Sequence, residues 1–593
     1  MKFYIKDRNG PSRIGNLSFD NKNIITPNIL FVNTENIKAP NNADILITNK
    51  KKKTNKPIIY INKKFFYPKD IPIDLHIKNI KQKNNYYVIT PRIEMIQKVI
   101  QNNKSFFYII SNSYQLYNNP KKFVDFIVKL RKEIGYQKII YLPAIAKPNN
   151  LALFSYLGID LFDSISAIVS SRNKYLFFPE GENNIEELKE LPCSCPSCNN
   201  HKRKPSEMKY KEILNHNYYS MINEIKLVRN AIYSGDIRNL VEYRVKSDPH
   251  LTTILRYLDF NHYQFLEKRT PIKNNKMIVA NSKESLLRPE IKRFQNRVIN
   301  RYKKPSSAKV LLILPCSAKK PYFQSKSHKL FSSIINNSGN SFAIHEMIIT
   351  SPLGLVPREL ELVYPASSYD IPVTGIWDED EKKMIRNLLK DYLKINKYEK
   401  IIAHIPKELL EFTEDLLNKP LKTCINHPIS NQSLDCLSKT LQNNLTEFKK
   451  VDIQKRLVEN IQCLASYQFG KSVAKKLMKD STIKGRYPNK KIFYKNKQLG
   501  MIVFERGLIS LTLDGGKRIL NSKKYWVEIF DDFTLKGSIF APGVKDADEI
   551  IRKDDEVVVI QKNKLCGVGV AQMNGEEMKE LSYGEAVKIR HKI

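Results

Sequence analysis

The chain has 593 residues, 42% of them hydrophobic, which is too long for one core and points to roughly three to five globular domains. It carries 99 Lys and Arg against 60 Asp and Glu, a formal charge of +39 spread along the whole length, so a polyanionic partner is expected, most simply nucleic acid. Eight cysteines, three of them within six residues, do not look like a secreted disulfide framework. No charged start precedes an apolar signal segment, and no apolar run reaches the roughly 18 residues of a membrane span, so a soluble protein of a reducing cytoplasm is expected.

Residues 1–272 alternate short apolar runs, at 28–32, 45–47, 87–89, 106–110, 139–142 and 167–169, with helical stretches. The segment 120–134 has Phe123, Phe126, Ile127 and Leu130 at helical spacing. Such alternation favours a parallel sheet wrapped by helices, and the length suits a (β/α)8 barrel, although fewer than eight strands can be counted. Within this region the run CSCPSC places Cys193, Cys195 and Cys198 close enough to wrap one zinc ion. The fourth ligand is expected to be a histidine. His216, read as the start of an amphipathic helix with Tyr219, Ile222, Ile225, Val228 and Ile232 on one face, is one candidate, and His201 is the other. With four protein ligands and no open position, the site is read as structural.

Residues 285–302 form a helical stripe of Ile291, Phe294, Val298 and Tyr302, with Arg293, Arg297 and Arg301 on a second face that is read as solvated, phosphate contact being the alternative. This basic connecting helix, placed at 273–308, leads into a central α/β domain at 309–425. Residues 310–314 read as a buried strand that Pro315 ends, which puts Cys316 at the carboxyl end of a strand, where α/β folds bind ligands. Lys319, Lys320, Tyr322, Ser325, Ser327 and His328 follow. Nearby lysines favour a thiolate, and His328 can serve as acid or base in the same loop. Residues 350–381, rich in Pro, Gly and Tyr and holding Arg358, Glu359, Asp370 and Trp377, read as a long ordered loop of the kind that lines a site. A helix with Met384, Leu388, Leu389 and Leu393 comes next, then a strand at 401–404. Cys424, Cys436 and Cys463 are scattered and read as structural. A further domain occupies 450–523, and from 524 to 593 short strands at 526–529, 537–540, 556–560 and 587–589, separated by Gly, Asp and Asn turns, have the texture of a small β-barrel.

These motifs carry a resemblance. GSIFAPGVKDADEIIRKDDEV, GVGVA and GEAVKIRH resemble a PUA domain, a pseudobarrel that binds RNA, and YQFGKSVAKKLM with IKGRYP resembles the α+β domain placed before PUA in archaeal tRNA-guanine transglycosylases. Asp160 and Asp163 in DLFD, the CSCPSC run and His216-Asn217 resemble the end of the transglycosylase barrel with its zinc site, which implies His216 as the fourth ligand. The transglycosylase D-S-G-G-[FY]-Q motif and Gly-rich guanine pocket are missing, and the chain reads LPAIAKPNN where that pocket would lie. Asp163 stands at the nucleophile's place without its partners, so the barrel is read as a degenerate scaffold for RNA. PCSAKKPYFQSKSH, with SPLGLVPRELE and YDIPVTGIWDEDE, resembles the archaeosine synthase family, a paralogue of that transglycosylase.

The resemblance implies an α/β multidomain tRNA-modifying transferase: a transglycosylase-like (β/α)8 barrel with structural zinc, the central catalytic domain, a pre-PUA domain and a PUA barrel. It implies that the nitrile of a preQ0 base, already in the tRNA D-loop, receives nitrogen from lysine or glutamine, and that a radical-SAM partner then cleaves the adduct. Cys316, Lys320, Tyr322, Ser325 and His328 are the expected catalytic set, with Cys316 as nucleophile or as a packing residue beside direct amine addition. Arg358, Glu359 and Asp370 are the expected contacts to the donor, read from their charge. A homodimer is a further candidate assembly, and an active transglycosylase or a plain tRNA-binding module are the rival functions.

Overall fold

The computed structural model describes residues 2–19, 22–48, 55–60, 86–94, 96–97 and 105–593. Its internal contacts divide the chain into two units, Met1–Thr270 with Glu580–Gly584, and Pro271–Lys579 with Glu585–Ile593.

The first unit opens with an antiparallel sheet of β1 (Lys2–Asn9), β2 (Ser12–Phe19) and β3 (Lys22–Thr26). Seven short strands follow: β4 (Asn28–Val32), β5 (Ile45–Thr48), β6 (Ile58–Tyr60), β7 (Tyr86–Ile89), β8 (Phe107–Ile110), β9 (Ile139–Tyr141) and β10 (Leu161–Asp163). All pair in parallel, in the order β6-β5-β4-β10-β9-β8-β7. The last strand, β10, pairs with the first, β4, the closure that a (β/α)8 barrel makes. Between β6 and β7 the chain runs through residues outside the described ones. β4, β5, β8, β9 and β10 are buried along their whole length, as strands covered on both faces must be, which is why they read as unbroken apolar runs. Helix α1 (Pro120–Ile134) buries Phe123, Phe126, Ile127 and Leu130, the stripe its spacing predicts, and starts where the Asn119 side chain accepts the Lys122 amide. Helix α2 (Pro148–Tyr156) leads into β10 and is buried throughout. A hairpin, β11 (Tyr175–Phe178) and β12 (Gly181–Asn184), and the long α3 (Tyr210–Ser234) complete the frame around the cysteine cluster.

The second unit begins with β13 (Ile278–Val279) and α4 (Pro289–Asn300). Ile291, Phe294, Val298 and Tyr302 are buried as expected, but the arginine face is not solvated: Arg293 and Arg297 are 5% and 7% exposed. Arg293 donates to the Pro271 carbonyl, Arg297 lies over the Tyr467 ring, and Arg301 donates to the Gln468 carbonyl and the Tyr525 hydroxyl. A guanidinium fork satisfies several acceptors at once while its stem packs on apolar surface, so a second helix face covered by protein favours Arg there.

Next comes a five-stranded sheet of β14 (Val310–Pro315), β15 (Ile344–Thr350), β16 (Gly354–Pro357), β18 (Lys400–Ala403) and β19 (Leu421–Lys422), ordered β16-β15-β14-β18-β19 and parallel except for β16; between β16 and β18, β17 (Tyr369–Asp370) pairs separately with β13. Helices α5 (Lys326–Asn336) and α6 (Glu379–Ile395) flank it. Helix α7 (Ile453–Phe469) leads to the antiparallel sheet β20 (Thr482–Lys484), β21 (Lys491–Tyr494), β22 (Lys497–Val503) and β23 (Leu508–Leu511). The C-terminal sheet, β24 (Trp526–Ile529), β25 (Ile539–Phe540), β26 (Val544–Ala547), β27 (Glu556–Gln561), β28 (Lys564–Ala571) and β29 (Glu585–Lys592), runs β25-β29-β28-β27-β24-β26, the small barrel expected of this segment. Gly537, read as a strand start, lies ahead of β25.

Candidate functional site

β14 is the middle strand of its sheet, and its five apolar residues 310–314 are fully buried. Cys316 leaves its carboxyl end, where a cleft of about 750 Å³ opens, a size at which ligand pockets are built. Cys316 and Ser317 line it from β14, the loop 371–377 with Trp377 forms a wall, and Glu381, Glu408 and His427 add charge and polarity.

The expected catalytic set divides in two. Cys316 is half-buried; burial raises its thiol above the usual value against the downward pull of the Thr350 hydrogen bond and of Lys320. The lysine-activated thiolate expected from the sequence is therefore not the resting form. Lys320 Nζ lies 4.1 Å from the centre of the Tyr369 ring, and burial lowers its ammonium against Cys316 and Asp370, which raise it. Tyr322, Ser325 and His328 face inward. The Tyr322 and Tyr369 hydroxyls are 2.5 Å apart, and Tyr369 is 2.5 Å from Thr350 Oγ1, so a buried hydroxyl chain ends beside Cys316. Ser325 caps α5 by accepting the His328 amide.

His328 does not have the geometry of the loop's acid or base. Its Nε2 donates to the Pro315 carbonyl at 3.1 Å, its Nδ1 accepts from Arg358 Nη2 at 2.8 Å, and it has no exposed surface. Burial, and then the Arg358 charge, lower it to about 3, so it stays neutral and buckles the Cys316 loop to the sheet. Arg358 is likewise committed: it donates to Glu346 at 2.6 and 2.9 Å and to Glu361 at 3.0 Å, and these carboxylates hold it charged despite burial. Glu359 accepts from Tyr302 at 3.0 Å and pairs with His345 at 3.3 Å; burial works against its charge, but His345 and Arg456 bring it down to about 2. Neither is among the residues that line the cleft. Asp370 is exposed, next to the lining residue Ile371.

In the first unit the ligand atoms of Cys193, Cys195, Cys198 and His216 all lie within 4.8 Å of one another. His216 Nδ1 is 3.2 Å from Cys198 Sγ and 3.6 Å from Cys195 Sγ, while its Nε2 donates to the Phe177 carbonyl at 2.9 Å. That bond fixes the tautomer that leaves Nδ1 a bare lone pair, the arrangement a metal-binding imidazole needs. His201 is turned away, to the Lys204 carbonyl and Glu212. His216 sits two turns inside α3 rather than at its start. These four residues could hold a metal ion, which would tie the 193–198 turn to α3. At the end of β10, Asp163 is fully buried; Tyr141 Oη donates to it at 2.6 Å, and the Ile165 and Ala144 amides at 2.9 and 3.0 Å.

Family models match four stretches: Queuine tRNA-ribosyltransferase at 90–250, a domain of unknown function (DUF5591) at 291–441, the patch-forming domain C2 of tRNA-guanine transglycosylase at 459–525, and the PUA domain at 531–593. The archaeosine synthase subunit alpha of Methanosarcina acetivorans is 37% identical across 82% of this chain and 80% of its own. The chain belongs to the archaeosine synthase family. The archaeosine synthase of Haloferax volcanii is 36% identical over 82% of each chain, and the tRNA-guanine(15) transglycosylase of Methanobrevibacter smithii is 27% identical over 79% of this chain and 69% of its own. No helix among the described residues is long and apolar enough to cross a membrane.

In this archaeosine synthase family member the sequence reading missed Glu408 and His427 in the cleft. They lie just past β18 and β19, and only the strand at 401–404 hinted that its end would meet the same crevice. Glu381 was within the quoted YDIPVTGIWDEDE, but nothing in its spacing separates a lining carboxylate from a helix cap, and it is both.

Proposed function

We propose that this chain modifies tRNA in archaeosine formation, adding the side-chain amine of lysine to the nitrile of a preQ0 base at position 15 of the D-loop. The observation that carries the reading is Cys316, set by the central strand at the floor of a cleft large enough for a flipped base and an amino acid. The Cys316 S–H adds across the C≡N bond: sulfur bonds carbon, the nitrile nitrogen takes a proton, and a thioimidate forms. The donor amine attacks the same carbon, the C–S bond breaks, sulfur recovers a proton, and an amidine remains. Lys320, its ammonium lowered by burial, passes the thiol proton to the nitrile nitrogen and later carries a proton of the donor amine to the departing sulfur. Tyr322, Ser325 and His328 hold the loop. A radical-SAM partner then cleaves the adduct.

Glu381, Glu408 and the nearby Asp370 favour lysine, which has two ammonium groups, over glutamine, which has one. The PUA domain and the charge of +39 support tRNA as the polyanion. The Cys3His cluster fits a zinc ion with no open position, held by Cys193, Cys195, Cys198 and His216 for structure alone. Direct amine addition without a covalent step is the second reading, favoured by the raised thiol. Mixing the protein with preQ0-tRNA in the absence of lysine separates the two. The covalent route predicts a protein–tRNA adduct on denaturing gels that lysine discharges and Cys316→Ser cannot form; a Cys316→Ser variant with full turnover excludes it.

A further inference from the structure

Two cavities share the loop 371–376 as lining. One is the Cys316 cleft; the other is smaller, about 280 Å³, and Ser351, Ile371, Thr374 and Glu381 line both. The smaller one gathers an ammonium, Lys283, with two carboxylates, Asp378 and Glu381. Opposite charges around a space of this size match the zwitterionic head of an amino acid. Lys283 pairs with Asp380 at 3.1 Å, both about 60% exposed, and such a surface pair is weak enough to yield to a ligand carboxylate. Glu381 uses Oε2 to accept the Asp378 amide, while its Oε1 has no partner among the described residues.

A second observation lies at the seam. The Ser351 hydroxyl is buried, the residue being 4% exposed, and has no hydrogen-bond partner among the described residues. An unpaired buried hydroxyl is costly and is satisfied when a ligand group arrives. Ser351 lines both cavities and directly follows Thr350, whose side chain pulls the Cys316 thiol down against burial.

We propose that the smaller cavity is the donor's head-group site: Lys283 binds the α-carboxylate, Glu381 Oε1 binds the α-ammonium, and the side-chain amine passes Ser351 into the Cys316 cleft. This rests on the reading that an amino acid supplies the nitrogen. Ser351 accepts one hydrogen of the amine, which leaves the lone pair for the carbon bonded to Cys316. The two substrates then occupy different cavities, the base the broad cleft and the donor's head group the smaller one. Side-chain length then sets specificity: ornithine, one methylene shorter, fills the head-group site but holds its amine short of the carbon.

The test is the initial rate of lysine transfer to preQ0-tRNA by the full chain. Lys283→Ala and Glu381→Gln raise the KM for lysine roughly ten- to a hundredfold, as loss of a charge-assisted contact implies, with tRNA affinity unchanged. Gln preserves the capping box that starts α6, so Glu381→Gln keeps the fold. Ser351→Ala lowers kcat with little change in KM, and ornithine competes with lysine while reacting slowly. Active variants with an unaltered lysine KM overturn the site alone. Wild-type protein that transfers no lysine overturns the donor reading and the site together.

Discussion

Replacing His328 with Ala removes the buckle under Cys316, and the structure sets its size. The substitution deletes the 3.1 Å bond to the Pro315 carbonyl and the 2.8 Å bond that Arg358 donates, and it empties a ring site packed on Tyr322 and Phe331. A neutral bond contributes about 0.5–1.5 kcal/mol and one with a charged partner about 1.5–3. With roughly 2 kcal/mol for the buried ring, the local cost is about 4–6 kcal/mol. The effect depends on pH. Burial and Arg358 lower the ring from 6.5 to about 3, so His328 contributes its full stability above pH 6.5 and loses it as pH falls toward 3. At pH 4.5, about two units below the unfolded value, wild type has lost about 3 kcal/mol and the variant none, so their difference narrows by that amount. Hydrogen exchange of the α5 amides at pH 7 and pH 4.5 reads the local stability without a two-state assumption for the whole chain. A gap independent of pH, or a His328 imidazole titrating near 6.5 by NMR, would refute the reasoning.

Alkylation of Cys316 by iodoacetamide should accelerate only in alkaline solution, with a midpoint above the ordinary thiol value of 9, because burial outweighs Thr350 and Lys320; a midpoint below neutrality contradicts this. Asp163→Asn should leave lysine transfer unchanged. Burial pushes the Asp163 carboxyl up to about 6, so its contribution is greatest below pH 4 and falls by roughly 3 kcal/mol as pH rises to 6; thermal melts of wild type should show this decline and those of the variant should not. Cys195→Ser should lose one equivalent of zinc by elemental analysis and lower the melting temperature of the first unit, with the α5 amides of the second keeping their protection.

How far the sequence carries can be followed residue by residue. Cys316 was legible because five apolar residues ended by proline make a buried strand, and a strand end in an α/β layout is a ligand crevice. The cysteine cluster was legible because its spacing is itself the chemistry, and the barrel because fully buried parallel strands read as unbroken apolar runs. His328 and Arg358 were misread for one reason: spacing shows which residues share a loop, not which partners occupy their polar atoms, and their partners come from Pro315, Glu346 and Glu361. The arginines of α4 failed likewise, since a helical stripe fixes which face is basic and not what packs on it.

The central claim is best tested by incubating the purified chain with preQ0-containing tRNA and either lysine or glutamine, digesting the RNA and weighing the nucleosides. The account predicts a mass gain equal to one whole lysine on preQ0 and none with glutamine. Tight tRNA binding with no gain from either donor would contradict it and leave an RNA-binding module.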